Sequence, residues 1–178
     1  MKKINIFFSL MIIFFCLIFF SDKRNEDLVL ELENVGDLLE IEFIKDGELY
    51  LKNKNLVIKK IDVELSYRDT EKKNGLTYRS FLKENRGMLF LFQDREDYKI
   101  INMKNMRIPL DIIYINQFNT VLSIKTHMNP MIEIDIPKTD EKNIIKYVLA
   151  INAGMSKKWG IKEGITKITW FFNGKNGN

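Results

Sequence analysis

The residues best suited to chemistry in this sequence are a lysine, an amide and a carboxylate that occur within eight consecutive positions: Lys104, Asn105 and Asp111. A lysine and an aspartate held together can exchange a proton or bind an anionic or hydroxylated ligand. The same groups can instead form an ion-pair and amide network that ties the polar turn to the segment containing Arg79. The candidate ligand-binding residues are therefore Arg79, Lys104, Asn105 and Asp111, with a structural network as the other interpretation.

The residue types do not favour a metal site, a phosphate or dinucleotide site, or a serine hydrolase site. His127 is the only histidine and Cys16 the only cysteine, so a zinc site with three or four ligands is not expected. The sequence lacks the glycine patterns that bind phosphates or dinucleotides and the G-x-S-x-G turn of serine hydrolases. We expect no metal and no cofactor, and a non-catalytic role is favoured over an enzyme.

The N-terminal segment has the pattern of a membrane leader. Residues 4–20 form an almost unbroken apolar run behind Lys2 and Lys3, and charged residues follow at once. As a helix the run would span about 25 Å, slightly less than the ~30 Å hydrocarbon core. This pattern predicts a signal anchor, which forms a transmembrane helix, or a cleaved signal peptide. We expect residues 4–20 to bind the bacterial cytoplasmic membrane, with the globular domain on the extracytoplasmic, periplasmic side.

Cys16 leaves two other fates for the leader open, lipidation at this cysteine or secretion. The bulky Phe15 before Cys16 does not fit a lipoprotein cleavage site, which favours the uncleaved anchor. If the leader stays outside the folded part, that part has no cysteine and can form no disulfide.

The charge balance does not favour nucleic-acid binding. Removing Lys2 and Lys3 from the 28 basic residues leaves 26 against 24 acidic residues, a net charge of +2 for residues 21–178. A nucleic-acid-binding domain normally carries a strong basic excess. No nucleic-acid partner is therefore expected, and a protein or small-molecule partner is left open.

The periodicity beyond the leader predicts one β-rich domain. Residues 21–37 are a charged tether, residues 38–172 alternate in the manner of seven to nine short strands, and residues 173–178 are a frayed tail. Asp46-Gly47 between two alternating runs predicts a hairpin, and the apolar run at 88–92 predicts a strand buried on both faces. Short helices are expected near 69–79 and 152–160. The fold class is a mainly β, compact sandwich or partly closed barrel with mainly antiparallel strands.

Four segments in this order resemble the domain of unknown function family 192 over about residues 57–170. They are Gly75-Leu76-Thr77-Tyr78-Arg79, Gly87-Met88-Leu89-Phe90, the stretch 102–111 ending in Ile108-Pro109-Leu110-Asp111, and a C-terminal set with Val148-Leu149, Gly154, Gly160-Ile161 and Gly164. The sequence departs from the family pattern at Thr77, Asn102 and Met106, which alters any pocket that these positions line. The resemblance implies a jelly-roll-like fold and frequent export, and it implies no biochemical activity.

These observations lead to one function and one alternative. The favoured function is a membrane-anchored or exported accessory module of the cell envelope that binds a ligand or partner without catalysis. The alternative is an enzyme of unknown reaction with a polar site around Lys104, Asn105 and Asp111.

Overall fold

The computed structural model of the protein describes residues 41–92, 103–132, 137 and 143–172, and the backbone of 175–177. The predicted leader, tether and lipidation site at Cys16 lie outside this part. The sequence DYKIINMK at residues 97–104 also predicts a strand, and most of it, residues 97–102, lies outside the described residues as well. Within the described ranges, no helix is long and apolar enough to cross a membrane.

The described chain forms eight strands and two short helices. In chain order they are β1 (Gly47–Asn53), β2 (Leu56–Ser66), α1 (Asp69–Asn74), β3 (Arg86–Leu91), β4 (Leu110–Asn116), β5 (Val121–Met128), β6 (Ile145–Asn152), α2 (Met155–Lys158), β7 (Thr166–Phe172) and β8 (Lys175–Gly177). The prediction of a mainly β domain with two short helices is confirmed. A short strand, β8, pairs with β7 in the segment for which a frayed tail was predicted.

The strands belong to a single mixed sheet of order β5-β4-β6-β3-β2-β1-β7-β8. Only the β2–β3 pair is parallel among the described ladders, which confirms the mainly antiparallel character. The sequence predicted a sandwich or a partly closed barrel. Among the strands that the structure describes, no continuous ladder closes the sheet, and β5 approaches β7 through the isolated bridge between Thr120 and Lys167.

The centre of the sheet is buried on both faces, as the apolar run at 88–92 predicts. In β3, Met88 and Phe90 pack in one apolar cluster, while Leu89 packs in a second cluster. The first cluster includes Leu76 and Leu82 from the connection after α1, and Met103, Met106 and Ile108 from the segment before β4. The second cluster includes the inward residues of β1, β2 and β7.

The first predicted hairpin is wrong in its position. β1 begins at Gly47, and residues 41–46 form no strand, so Asp46-Gly47 is not a hairpin turn. The turn that joins β1 to β2 is Lys54-Asn55, where Lys54 adopts a φ of 55°. Asp46 instead follows the edge of β2, because its N–H donates to the Val63 carbonyl and its carboxylate accepts the Leu65 N–H.

The first helix is shorter than the predicted range 69–79. Gly75 ends α1 at Asn74 by adopting a φ of 44°, a conformation that favours glycine. A Cβ at Gly75 would also lie 3.2 Å from the Phe90 ring, so the residue both breaks the helix and packs closely. The second helix lies inside its predicted range, and Gly160 follows it with a φ of 69°.

We predict that Gly87→Ala destabilises the fold by about 1–3 kcal/mol, because overpacking a filled interior forces neighbours to move. A Cβ at Gly87 would lie 2.9 Å from the Ala150 carbonyl oxygen and 3.0 Å from Ile151 Cγ2, both on the adjacent strand β6. Urea unfolding measures the change. Gly164→Ala is the control: its Cβ would meet nothing within 4 Å, and only its φ of 71° opposes the change, at about 1 kcal/mol. Equal losses in the two variants would contradict this account of Gly87.

Candidate functional site

Asp111 lies on β4 and is completely buried. Its Oδ1 accepts the His127 N–H at 2.9 Å. Its Oδ2 accepts the Ser156 N–H at 2.9 Å and the Ser156 hydroxyl at 2.6 Å. Both carboxylate oxygens are therefore used by donors from two other elements of the fold.

The backbone around Asp111 explains these contacts. The β4–β5 register shifts between Leu110 and Ile112, so that Thr126 and His127 of β5 together face Asp111. His127 in this bulge adopts a φ of 53° and turns its N–H toward the carboxylate. Helix α2 starts after Gly154, which has no side chain to cap it, and the Asp111 carboxylate accepts an N–H of its first turn instead.

Arg79 belongs to a second buried network. Its Nη2 lies 2.8 Å from both carboxylate oxygens of Glu64 on β2, and both side chains are less than a tenth exposed. Glu64 also accepts the Ile44 N–H at 2.8 Å. The pair thus ties the connection after α1 to β2 and to the segment that enters β1.

Lys104 and Asn105 form an exposed turn. The Met103 carbonyl accepts the Met106 N–H at 3.2 Å and the Met131 N–H at 2.9 Å, and Asn105 adopts a φ of 60°. Asparagine tolerates this left-handed conformation better than most residues. The Asn105 carbonyl accepts the Tyr78 N–H at 3.2 Å, which attaches the turn to the connection that contains Arg79.

The exposed groups around this turn are both aromatic and cationic. The Arg107 guanidinium lies 5.8 Å from the centre of the Tyr78 ring. Tyr78 is 57% exposed and Met131 is 68% exposed. We call Tyr78, Lys104, Asn105, Arg107 and Met131 the turn surface.

The four candidate residues therefore take part in different contacts. Arg79 and Asp111 lie in two separate buried networks, whereas Lys104 and Asn105 lie exposed on the turn surface. The observed contacts of Arg79 and Asp111 are those of a structural network, and ligand binding by the four residues stays a prediction. Among the described residues, no three His, Cys, Asp or Glu side chains are placed to hold a metal ion.

Sequence reasoning missed the partners of both buried charges. Glu64 lies between the apolar Val63 and Leu65 and is only 5% exposed, and it was not identified as a buried charge from the sequence. Ser156 lies 45 residues from Asp111 in the chain and carries no local signal of its role. A charged residue inside an apolar run, such as Asp111 in PLDIIYIN, was the one available sign of a buried network.

Comparison with known proteins supports the resemblance seen in the sequence. The model of the DUF192 family, described as an uncharacterized ACR, matches residues 50–169. A protein of unknown function from Novosphingobium aromaticivorans is 27% identical, with a TM-score of 0.60 over 69% of this chain and 84% of its own. A proposed transcription regulator from Sinorhizobium meliloti is also 27% identical, with a TM-score of 0.60 over 74% of this chain and 97% of its own. No curated protein matches the chain.

We predict that Asp111→Ala destabilises the protein by about 3–5 kcal/mol, because it leaves buried donors of His127 and Ser156 without an acceptor. Urea unfolding of the purified chain measures the loss. The exposed Glu42→Ala is the control and is expected to change stability by less than about 0.5 kcal/mol. A stable Asp111→Ala protein would contradict the structural role.

We further predict strong coupling between Arg79 and Glu64. Arg79→Met leaves the Glu64 carboxylate buried without its cation and is expected to cost about 3–5 kcal/mol. The double variant Arg79→Met/Glu64→Leu removes both charges and is expected to recover much of that loss. A double-mutant cycle in urea measures the coupling. Additive losses would show that the two side chains do not stabilise each other.

Proposed function

Because the chain belongs to the uncharacterised DUF192 family, we propose a function from its own contacts: a non-catalytic accessory module that binds a ligand or partner. The observation behind this proposal is the Asp111 carboxylate, whose two oxygens accept three hydrogen bonds in a fully buried position. A substrate could reach these oxygens only by displacing the N–H and hydroxyl donors of the fold. Lys104 and Asn105, which belong to the turn surface, remain as the part of the predicted site that a partner can reach.

The turn surface has the composition of a recognition site. Aromatic and arginine side chains are enriched where proteins bind partners, because each combines a large contact area with a polar group. The Arg107 guanidinium lies 5.8 Å from the centre of the Tyr78 ring and carries N–H donors that suit a planar anion such as a carboxylate. The exposed Met131 adds a flexible apolar contact beside them.

The alternative enzyme would need Lys104, Asn105 and Asp111 to act on one substrate. Lys104 and Asn105 are exposed, whereas Asp111 is buried beneath its own donors. Catalysis would require the Asp111 contacts to His127 and Ser156 to open, and those contacts also hold β5 and α2. The enzyme is therefore the less favoured proposal.

The proposed place of action is the extracytoplasmic side of the bacterial cytoplasmic membrane, with residues 4–20 as the anchor. The pattern of Lys2, Lys3 and the following apolar run supports this location. A cell-envelope role fits a domain that offers an exposed binding surface and whose Asp111 carboxylate is occupied by donors of the fold.

The experiment is a thermal-shift screen of the full chain in neutral detergent against small carboxylates, sugars and peptidoglycan fragments. A ligand present at 100 times its Kd should stabilise the protein by about 2.7 kcal/mol, a shift of several degrees in Tm. We expect Arg107→Gln and Tyr78→Ala to lose the shift while their ligand-free Tm stays unchanged. The exposed Lys73→Gln on α1 is the control. No shift with any compound, or a shift that both variants retain, would contradict binding at the turn surface.

A further inference from the structure

Three loops lie side by side at one end of the strands β1, β2 and β7. They are residues 52–57, 117–120 and 162–167, which we call the basic end. Lys52 pairs with Lys167 and Asn53 with Thr166 across β1 and β7, and Asn53 pairs with Leu56 across the β1–β2 turn. The third loop joins through the Thr120–Lys167 bridge and the Ile168 N–H, which donates to the Asn119 carbonyl at 2.9 Å.

The basic end concentrates positive charge without neutralising it. Its ionisable side chains are Lys52, Lys54, Lys162, Lys167 and a single acid, Glu163. The Glu163 carboxylate accepts the Ile124 N–H of β5 at 2.6 Å. None of the four lysines forms an ion pair with any residue in the described ranges.

Two lysines of the basic end, Lys52 and Lys167, lie directly opposite each other in the β1–β7 ladder. Residues directly opposite in a ladder extend their side chains from the same face of the sheet, and like charges in that position destabilise the pair. A fold keeps such a pair at low cost only where solvent ions or an anionic partner screen it.

The other end of the same face shows the contrasting arrangement. Lys45 contacts Glu48 at 3.0 Å and Asp62 at 2.7 Å, and Lys60 contacts Glu48 at 2.8 Å. Hydrogen bonds from Lys60 and then Lys45 lower the pKa of Glu48 to about 2. Lys45 and Lys60 are thus paired with acids at this end, whereas the four lysines of the basic end have no acidic partner among the residues that the structure describes.

Large apolar side chains are exposed among the unpaired lysines. Leu56 is 71% exposed, Phe118 is 64% exposed, and Ile165 and Val57 are each 46% exposed. Leu56, Phe118 and Ile165 come from three different loops of the basic end. Cations beside protruding Phe, Leu and Ile side chains are the combination that binds at the interface of an anionic bilayer.

We propose that the basic end docks on a bilayer that contains anionic phospholipid, with the lysines at the phosphate groups and Leu56, Phe118 and Ile165 among the headgroups. The inference rests on the proposed membrane location, which makes a bilayer the broadest anionic surface near the domain. The domain has a complementary charge. Of the 28 basic and 24 acidic residues, four basic and seven acidic ones precede residue 41, so residues 41–178 carry 24 against 17, a net charge of +7.

The test uses the full chain with unilamellar vesicles of phosphatidylcholine, with or without phosphatidylglycerol, that carry brominated acyl chains. Phe118→Trp places a fluorescent reporter at the basic end, and Phe171→Trp places the matched reporter beside the paired lysine cluster. The native Trp159 and Trp170 are buried and give the background. We expect bromine to quench the reporter at position 118 when phosphatidylglycerol is present, and the reporter at position 171 to stay unquenched.

The charge requirement is tested in the Phe118→Trp background. Lys52→Gln/Lys54→Gln/Lys167→Gln removes three lysines of the basic end, and Lys73→Gln/Lys83→Gln/Lys146→Gln removes three lysines elsewhere. At about fivefold for each lysine, the first triple variant should lower the ratio of docked to undocked protein by roughly 100-fold and abolish quenching. The second triple variant should behave like the parent. Equal quenching in both triple variants, or quenching that ignores phosphatidylglycerol, overturns the proposal.

Two further measurements distinguish docking by the basic end from anchoring through the leader and from general binding to polyanions. Flotation with pure phosphatidylcholine vesicles tests anchoring through the leader. If the protein does not float with these vesicles, the result counts against the membrane anchor. If it floats only when phosphatidylglycerol is present, docking by the basic end is still supported.

Anisotropy of a labelled DNA duplex and of labelled poly-glutamate, measured with the chain in neutral detergent, tests binding to other polyanions. Membrane docking is overturned if the protein binds the DNA or the poly-glutamate tightly through Lys52, Lys54 and Lys167 but shows no quenching with phosphatidylglycerol vesicles.

Discussion

The buried carboxylate of Asp111 is the interaction on which the arrangement of the sheet edge depends. It holds the bulged backbone of β5 through the His127 N–H and starts α2 through Ser156. A charge taken this far out of water is costly unless every oxygen finds a donor, and here three donors meet it. A residue that looked like a reactive group therefore acts as a structural centre.

The same principle explains why the predicted site separates into two kinds of residue. Arg79 and Asp111 are buried, and their charges are balanced by Glu64 and by the donors of His127 and Ser156. Lys104 and Asn105 lie exposed on a turn whose backbone is held by hydrogen bonds to Tyr78 and Met131. Exposed residues on a turn are the ones that a partner can reach. This division favours the turn surface over the buried charges as a place where a partner binds.

Local patterns predicted much of the fold and little of the site. The apolar run at 88–92, the alternation in β2 and the glycines near both helices predicted elements that the structure contains. Asp46-Gly47 does not form the predicted hairpin turn because Asp46 instead forms hydrogen bonds with the backbone of Val63 and Leu65 on β2. No local sequence pattern encodes such a contact. The local sequence did not reveal that Glu64 is buried for a similar reason, because its charge is balanced by Arg79, which lies 15 residues away in the chain. Motif resemblance identified the family without revealing which motif residues support the fold.

The edge strand β5 has a consequence for how copies of this protein behave at high concentration. An exposed strand edge invites a strand of another molecule to pair with it, which is a route to aggregation. Here the bulge at His127 bends the edge, and Glu163 already accepts the Ile124 N–H that an incoming strand would use. Two independent features therefore oppose intermolecular strand pairing along the same eight residues. The Glu163 carboxylate thus also helps to keep the folded domain from associating through its sheet.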